Sequence, residues 1–174
     1  MENHSVKFGF WAGLLQVLIM LSLYFVDRDA MLLWSSLIGY VVIIYGMSKA
    51  VTATRKDHGG GIKFSEAFKA GWLTFILGTT IIVVFTYILM NHIDPTLSIR
   101  LKELLVEVLR NLPDMIALSG KELETQIDMI NATESYGLGT IAFSLPFSFV
   151  IPGAIFAAII AFVYKKSIPD HSSH

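Results

Sequence analysis

The sequence contains no cysteine, and only 16% of its 174 residues are charged. Without cysteine, disulfide bonds, thiolate metal ligands and thiol nucleophiles are excluded. A soluble domain typically carries about 25% charged residues, so this shortage of charge indicates a chain adapted to a non-aqueous environment. The hydrophobic fraction of 54% and the mean hydropathy of +0.63 agree with that interpretation.

Four stretches of the chain contain no charged residue at all. A bilayer core of roughly 30 Å requires about 20 apolar helical residues, and each stretch approaches or exceeds that length. Because backbone polar groups in hydrocarbon must be satisfied within their own segment, such runs form helices. The sequence predicts an all-α, polytopic membrane protein with one membrane domain over residues 1–174 and four transmembrane helices, at about 8–26, 30–48, 70–90 and 138–164.

The positive charges between these runs predict the orientation in the membrane. With four spans, both termini and the second loop lie on one side. That side carries Lys7, Lys49, Arg55, Lys56, Lys63, Lys69, Lys165 and Lys166, and the other carries Arg28, Arg100, Lys102, Arg110 and Lys121. Because Lys and Arg are in excess on the cytoplasmic side, this count of eight against five predicts cytoplasmic N and C termini.

Residues 91–135 are predicted to form an extracytoplasmic, amphipathic helical insertion between the third and fourth spans. Its first half has apolar residues at the i, i+3, i+4, i+7 spacing of one helix face. They are Leu97, Leu101, Leu104, Leu105, Val108 and Leu112. A second helix, from about Ser119 to Asn131, would complete a hairpin. Two interpretations stay open: the stripe folds back onto the membrane or the spans, or it docks a partner or a second copy of the chain.

Small residues predict where the spans pack closely. They are Gly9 and Gly13 in the first run, and Gly153, Ala157 and Ala161 in the fourth. Spacing by four residues places small side chains on one face and permits close helix approach, within one chain or between two. Gln16, in the middle of the first run, is expected to hydrogen-bond a neighbouring helix, a contact worth about 0.6–2 kcal/mol.

Pro146 and Pro152 interrupt the fourth run. Proline removes a backbone hydrogen bond and clashes with the preceding turn, so a kink or break is expected. Broken helices line binding sites in transporters, but proline is also common in membrane helices that bind nothing. Whether residues 138–164 form one bent helix or two pieces stays open.

The residues that carry chemistry form no recognisable constellation. No ionisable side chain lies within a charge-free run, where a proton or transport path would need one, and the five histidines lie in predicted termini or loops. We therefore predict no catalytic residues, metal site, cofactor or nucleic acid partner. The expected partners are the lipid bilayer and either a second copy of the chain or another membrane protein.

Two functions follow from these patterns. The leading hypothesis is a non-enzymatic structural or accessory subunit that acts through helix–helix and outer-segment contacts. The alternative is a small transporter or lipid-handling protein that uses the kinked fourth helix. An enzyme ranks third, because intramembrane enzymes need acids, histidines or metal ligands that face one another.

Two short segments and the order of features resemble a known family. The segments are Lys7-Phe8-Gly9-Phe10 and Ile62-Lys63-Phe64-Ser65-Glu66-Ala67-Phe68-Lys69-Ala70-Gly71. Together with four spans and a long polar insertion before a proline-containing final span, they resemble the DUF4199 membrane proteins, found mainly in Bacteroidetes-type bacteria. That family carries no assigned activity, so the resemblance implies no site residues. It implies a bacterial inner membrane, in agreement with the charge count.

Overall fold

The protein is a bundle of helices in a computed structural model that describes residues 3–111, 120–132 and 149–165. These residues are 91% helical and include no strand. The helices are α1 (His4–Val26), α2 (Arg28–Asp57), α3 (Phe64–Ile88), α4 (Thr96–Arg110), α5 (Gly120–Ala132) and α6 (Ala154–Tyr164). The all-α prediction is therefore confirmed over the described ranges.

Three helices are long and apolar enough to cross a membrane: α1, α2, and α3 together with the π-helical turn Leu89–Ile93 that continues it. They indicate a membrane protein. The apolar helical segment Ile151–Tyr164 is shorter than a span. Residues 138–148, which include Pro146, lie outside the described residues, so the fourth span stays a prediction.

The helices extend beyond the charge-free runs. α2 continues past Ser48 to Asp57, and α3 begins at Phe64, well before Ala70. A charge-free run reports which residues can lie in hydrocarbon, whereas helical hydrogen bonding continues into residues that water can reach. The runs therefore locate the spans but underestimate the helices.

Short local interactions fix the two turns that join these helices. Asp27 caps α2, because its Oδ1 accepts hydrogen bonds from the backbone N–H groups of Asp29 (2.9 Å) and Ala30 (3.0 Å). Between α2 and α3, Gly59 and Gly60 have φ values of +69° and +93°. Residues with a Cβ rarely adopt such values, so this tight reversal depends on glycine.

α1 packs on α3 almost backbone to backbone. A Cβ added to Gly9 would lie 2.9 Å from the carbonyl oxygen of Thr74, and one added to Gly13 would lie 3.0 Å from that of Gly78. Thr74 is completely buried in this contact, and its hydroxyl donates to the carbonyl of Ala70 at 2.8 Å. Gly9 and Gly13 of α1 thus lie directly against the backbone of Thr74 and Gly78 on α3.

α6 also packs on α3, through residues other than those that contact α1. A Cβ added to Gly153 would lie 2.6 Å from the ring of Phe75, and Ala157 contacts Gly71. Pro152 lies in the π-helical turn Phe149–Gly153, which leads directly into α6. In the described part of the fourth run, this proline therefore widens one turn without separating it from the helix that follows.

Two buried clusters stabilise the bundle, one near each end. The inner cluster comprises Ala12, Ile43, Met47, Val51, Ile62, Ala67, Ala70, Phe75, Ala157, Ile160 and Ala161. The outer cluster comprises Met20, Met31, Leu89, Met90 and Leu97. Because Leu97 belongs to α4, the outer cluster also holds α4 against α1, α2 and the π-helical turn.

Replacing Gly9 with alanine is expected to destabilise the bundle by about 1–3 kcal/mol, because a backbone oxygen cannot move aside as a flexible side chain can. The measurement is the thermal unfolding midpoint of the purified protein in detergent. Gly120→Ala is the matched control, since no described atom lies within 4 Å of a Cβ at that position. Equal midpoints for Gly9→Ala and the parent protein would show that the helices separate at no cost.

Candidate functional site

A cavity of about 310 Å³ lies among α1, α2 and α3, between the inner and outer clusters. Phe75 and Ile43 of the inner cluster line one end, and Met20 and Met90 of the outer cluster line the other. Leu101 of α4 also contributes to its lining. No described side chain fills this space between the two clusters.

Gln16 is the most buried polar side chain on the cavity wall, with 8% of its surface exposed. Its Nε2 is buried and has no hydrogen-bond partner among the described residues. Its Oε1 lies beside Gly39, where an added Cβ would approach it to 2.9 Å. Nε2 therefore makes no interhelical hydrogen bond to a described residue. A buried donor left without an acceptor costs about 1–3 kcal/mol.

The rest of the cavity lining carries hydroxyl groups but no charge. Ser35, Ser36, Tyr40 and Thr79 contribute hydroxyls, and no described Asp, Glu, Lys, Arg or His lines the wall. Thr86 is already engaged, because its hydroxyl donates to the carbonyl of Ile82 at 2.8 Å. The wall therefore offers neutral hydrogen-bonding groups on an otherwise apolar surface.

A set of ion pairs, which we call the outer clamp, fastens α4 to the turn between α1 and α2. Its members are Tyr24, Arg28, Asp29, Asp94 and Arg100. Arg100 binds both carboxylate oxygens of Asp29, at 2.6 and 2.9 Å. Asp94 accepts a hydrogen bond from the Tyr24 hydroxyl at 3.0 Å and pairs with Arg28 at 3.1 Å. The bidentate pair of Arg100 with Asp29 fixes the relative orientation of the two side chains as well as pairing their charges.

The outer clamp shifts the ionisation of its members. The pKa of Asp94 is lowered from its usual 3.8, chiefly because the carboxylate accepts a hydrogen bond from the Thr96 hydroxyl, and further because of Tyr24 and Arg28; desolvation opposes these effects. The pKa of Arg100 is raised, mainly by its hydrogen bond to Asp29 and then by Glu103. Both groups are therefore charged throughout the physiological range.

The structure divides the predicted docking stripe of α4 between three surroundings. Leu97 and Leu104 are buried, and Leu101 lines the cavity. Leu105 and Val108 remain 40% and 48% exposed. Leu112 lies outside the described residues. The first half of the stripe thus lies on the spans, while the second half faces away from them.

α5 lies beside α4 and buries none of its residues. The Lys102 ammonium donates to the carbonyl of Asn131 at 3.1 Å, and a groove of about 560 Å³ runs between the two helices. Within the described ranges, no group of three or more acidic or histidine side chains is placed to hold a metal ion. α4 and α5 therefore form a surface of two adjacent helices.

Three features of these sites were missed from the sequence. Gly39 and Gly46 on α2, and Gly71 and Gly78 on α3, form close contacts with neighbouring helices. Each pair is spaced by two helical turns, which places its members on one face, and that spacing was a usable signal. The outer clamp and the cavity had no such signal, because both depend on how distant segments meet.

Comparison with known proteins gives one match. Residues 7–166 match a family model described as "Protein of unknown function (DUF4199)". No curated protein and no solved structure matches the chain.

Lowering the pH is expected to weaken the outer clamp only in strong acid. Because the pKa of Asp94 is lower when folded than its usual 3.8, its contribution to stability is complete above that pH and is lost as pH falls through the folded value. The measurement is the thermal midpoint from pH 7 to pH 3, with Asp94→Asn as the comparison. The difference between the two proteins should be constant near neutrality and should shrink below about pH 3.8; a difference that disappears by pH 6 would contradict this assignment.

Proposed function

The chain belongs to the DUF4199 family of proteins of unknown function, and on that premise we propose that it is a four-span integral protein of a bacterial inner membrane that serves as a structural or accessory subunit. Its N and C termini face the cytoplasm, and its outer segment contacts another membrane protein. The proposal has two parts, the membrane topology and the accessory role. The distribution of charge at the two ends of the bundle supports the topology.

One end of the bundle is rich in basic residues. His4 at the start of α1 and Asp57 at the end of α2 are joined at 2.8 Å, so these two helix ends lie together. Arg55, Lys56 and Lys63 are near them in the chain. The outer clamp lies at the opposite ends of α1 and α2. The excess of Lys and Arg near His4 supports a cytoplasmic location for that end.

The single observation that carries the accessory role is the exposed face of a firmly held outer helix. The outer clamp and the buried Leu97 hold α4 on the spans, yet Leu105 and Val108, three residues apart on one face, remain 40% and 48% exposed. Apolar side chains presented together outside the hydrocarbon are a feature of interaction surfaces. A fixed helix also loses little conformational freedom on binding, which favours affinity.

The small-residue stripes do not supply that contact surface. Gly9 and Gly13 pack against α3, and Gly153 and Ala157 pack against other residues of the same helix. These stripes are used within one chain, so they leave the outer segment as the surface through which a partner is bound. A different membrane protein is the proposed partner, and a second copy of the chain is the alternative that the experiment below separates from it.

Single cysteines test the topology without a background, because the chain has none of its own. Glu124→Cys in α5 and Lys63→Cys before α3 are both at exposed positions. A membrane-impermeant maleimide should label Glu124→Cys in intact cells and should label Lys63→Cys only after the membrane is opened. The reverse pattern would overturn the orientation.

A photoreactive amino acid at Val108 tests the outer contact. In native membranes it should yield a covalent adduct of higher mass, while the same group at Val41, 66% exposed on the charge-free part of α2, should label lipid. Mass spectrometry of the adduct distinguishes a different protein from a second copy. Releasing α4 by Arg100→Ala should reduce the Val108 adduct severalfold, because the helix loses its bidentate pair with Asp29.

The absence of any protein adduct at Val108 in native membranes, with Val41 still labelling lipid, would exclude the outer segment as a contact surface. The topology result is independent of it, because cysteine labelling reports only the side of the membrane.

A further inference from the structure

We propose that the cavity beside Gln16 binds an uncharged lipid-like amphiphile, whose carbonyl or hydroxyl oxygen pairs with the Gln16 amide and whose apolar part lies against the methionines at the outer end. This goes beyond the accessory role, which concerns the outer segment and is tested separately.

The size of the cavity fits part of an amphiphile better than an isolated water molecule. Its volume of about 310 Å³ lies at the lower end of the range for small-molecule pockets, roughly 300–1,000 Å³. A single buried water needs only about 10–15 Å³ of such space. An occupant would gain dispersion contacts with the side chains that line this space, so its binding would stabilise the bundle.

Gln16 supplies the hydrogen-bonding group that an occupant requires. Its side chain lines the cavity, is more than nine-tenths buried, and has an unpartnered Nε2 among the described residues. Within the described residues, the only other buried side-chain nitrogen without a hydrogen-bond partner is Nε1 of Trp72. Trp72 does not line the cavity. A half-turn of the amide exchanges donor and acceptor at little cost, because this terminal torsion is roughly two-fold.

The chemistry of the wall decides the charge of the ligand. No described residue of the wall is ionised, so a charged ligand there would lose its hydration without gaining a counter-ion among them. A carbonyl oxygen, by contrast, has two lone pairs and can accept from Gln16 and from a second donor such as the Ser36 or Thr79 hydroxyl. The ligand is therefore neutral and carries oxygen on an apolar body.

Met20 and Met90 suit the apolar part of such a molecule. Both line the cavity and belong to the outer cluster. Methionine is unbranched and polarisable, so it adapts to chains of irregular shape. Leu101 lies nearby on α4, so the outer clamp that positions α4 also determines the shape of this end of the cavity.

The test uses the full chain, purified with gentle detergent, and three defined probes. Decylubiquinone carries ring carbonyls, 1,2-dioctanoyl-sn-glycerol carries ester carbonyls and a hydroxyl, and dodecane carries no polar atom. Binding is measured by the shift in thermal midpoint over a concentration series. At least one oxygen-bearing probe should bind more tightly than dodecane. Tighter binding of decylubiquinone would indicate a ring carbonyl as the bound group, and tighter binding of the diacylglycerol would indicate an ester carbonyl or a hydroxyl.

Gln16→Leu is the decisive variant. It keeps the shape of the side chain and removes an unpartnered polar group, so the folded protein is retained. It should weaken the oxygen-bearing probe about five- to tenfold and leave dodecane unchanged. Gln126→Leu is the matched control, because Gln126 is exposed on α5 and far from the wall in the chain. It should change neither.

Two results would overturn the proposal. One is that all three probes bind the parent protein equally tightly and that Gln16→Leu leaves their binding unchanged. The other comes from a photoreactive amino acid at Ser36: labelling of the chain itself, with no lipid or probe adduct, would show that the protein fills its own cavity. Neither result bears on the accessory role, which rests on labelling at Val108.

Discussion

The fold depends on one constraint: α1 and α3 touch backbone to backbone. In lipid, apolar side chains gain nothing by leaving their surroundings, so helices associate through close packing and polar contacts. Gly9 and Gly13 provide that closeness against Thr74 and Gly78. Because α2 and α6 also pack on α3, α3 is the central element of the spans, whereas α4 is held by α2 and the π-helical turn and α5 by α4.

Sequence patterns located three spans and α4, but they did not predict the way the helices meet. Absence of charge located three of the spans, because hydrocarbon excludes charge residue by residue. The amphipathic period located α4 in the same local manner. The bond between Arg100 and Asp29 joins residues 71 positions apart, and no local pattern reports such a partner. The cavity was even harder to predict from the sequence, since it is the space that remains after separate clusters have packed.

The two candidate surfaces of the protein share one helix. α4 is held by charged groups on the spans, contributes Leu101 to the cavity and turns Val108 outward. A change at either surface therefore acts on an element that also borders the other. Such an arrangement couples two sites only to the extent that α4 has two positions with different affinities, and the bidentate pair with Asp29 is the contact that would set the difference between them.

The members of the outer clamp lie far apart in the sequence, so they are synthesised and inserted at different times. Arg28 and Asp29 are synthesised long before Asp94 and Arg100, so the first helical hairpin crosses the membrane with its charges unpaired. In the proposed topology, their partners arrive on the same side only after α3 has been inserted. Closure of the outer clamp is therefore a late step of assembly, and it distinguishes a completely inserted chain from one that has stopped after two helices.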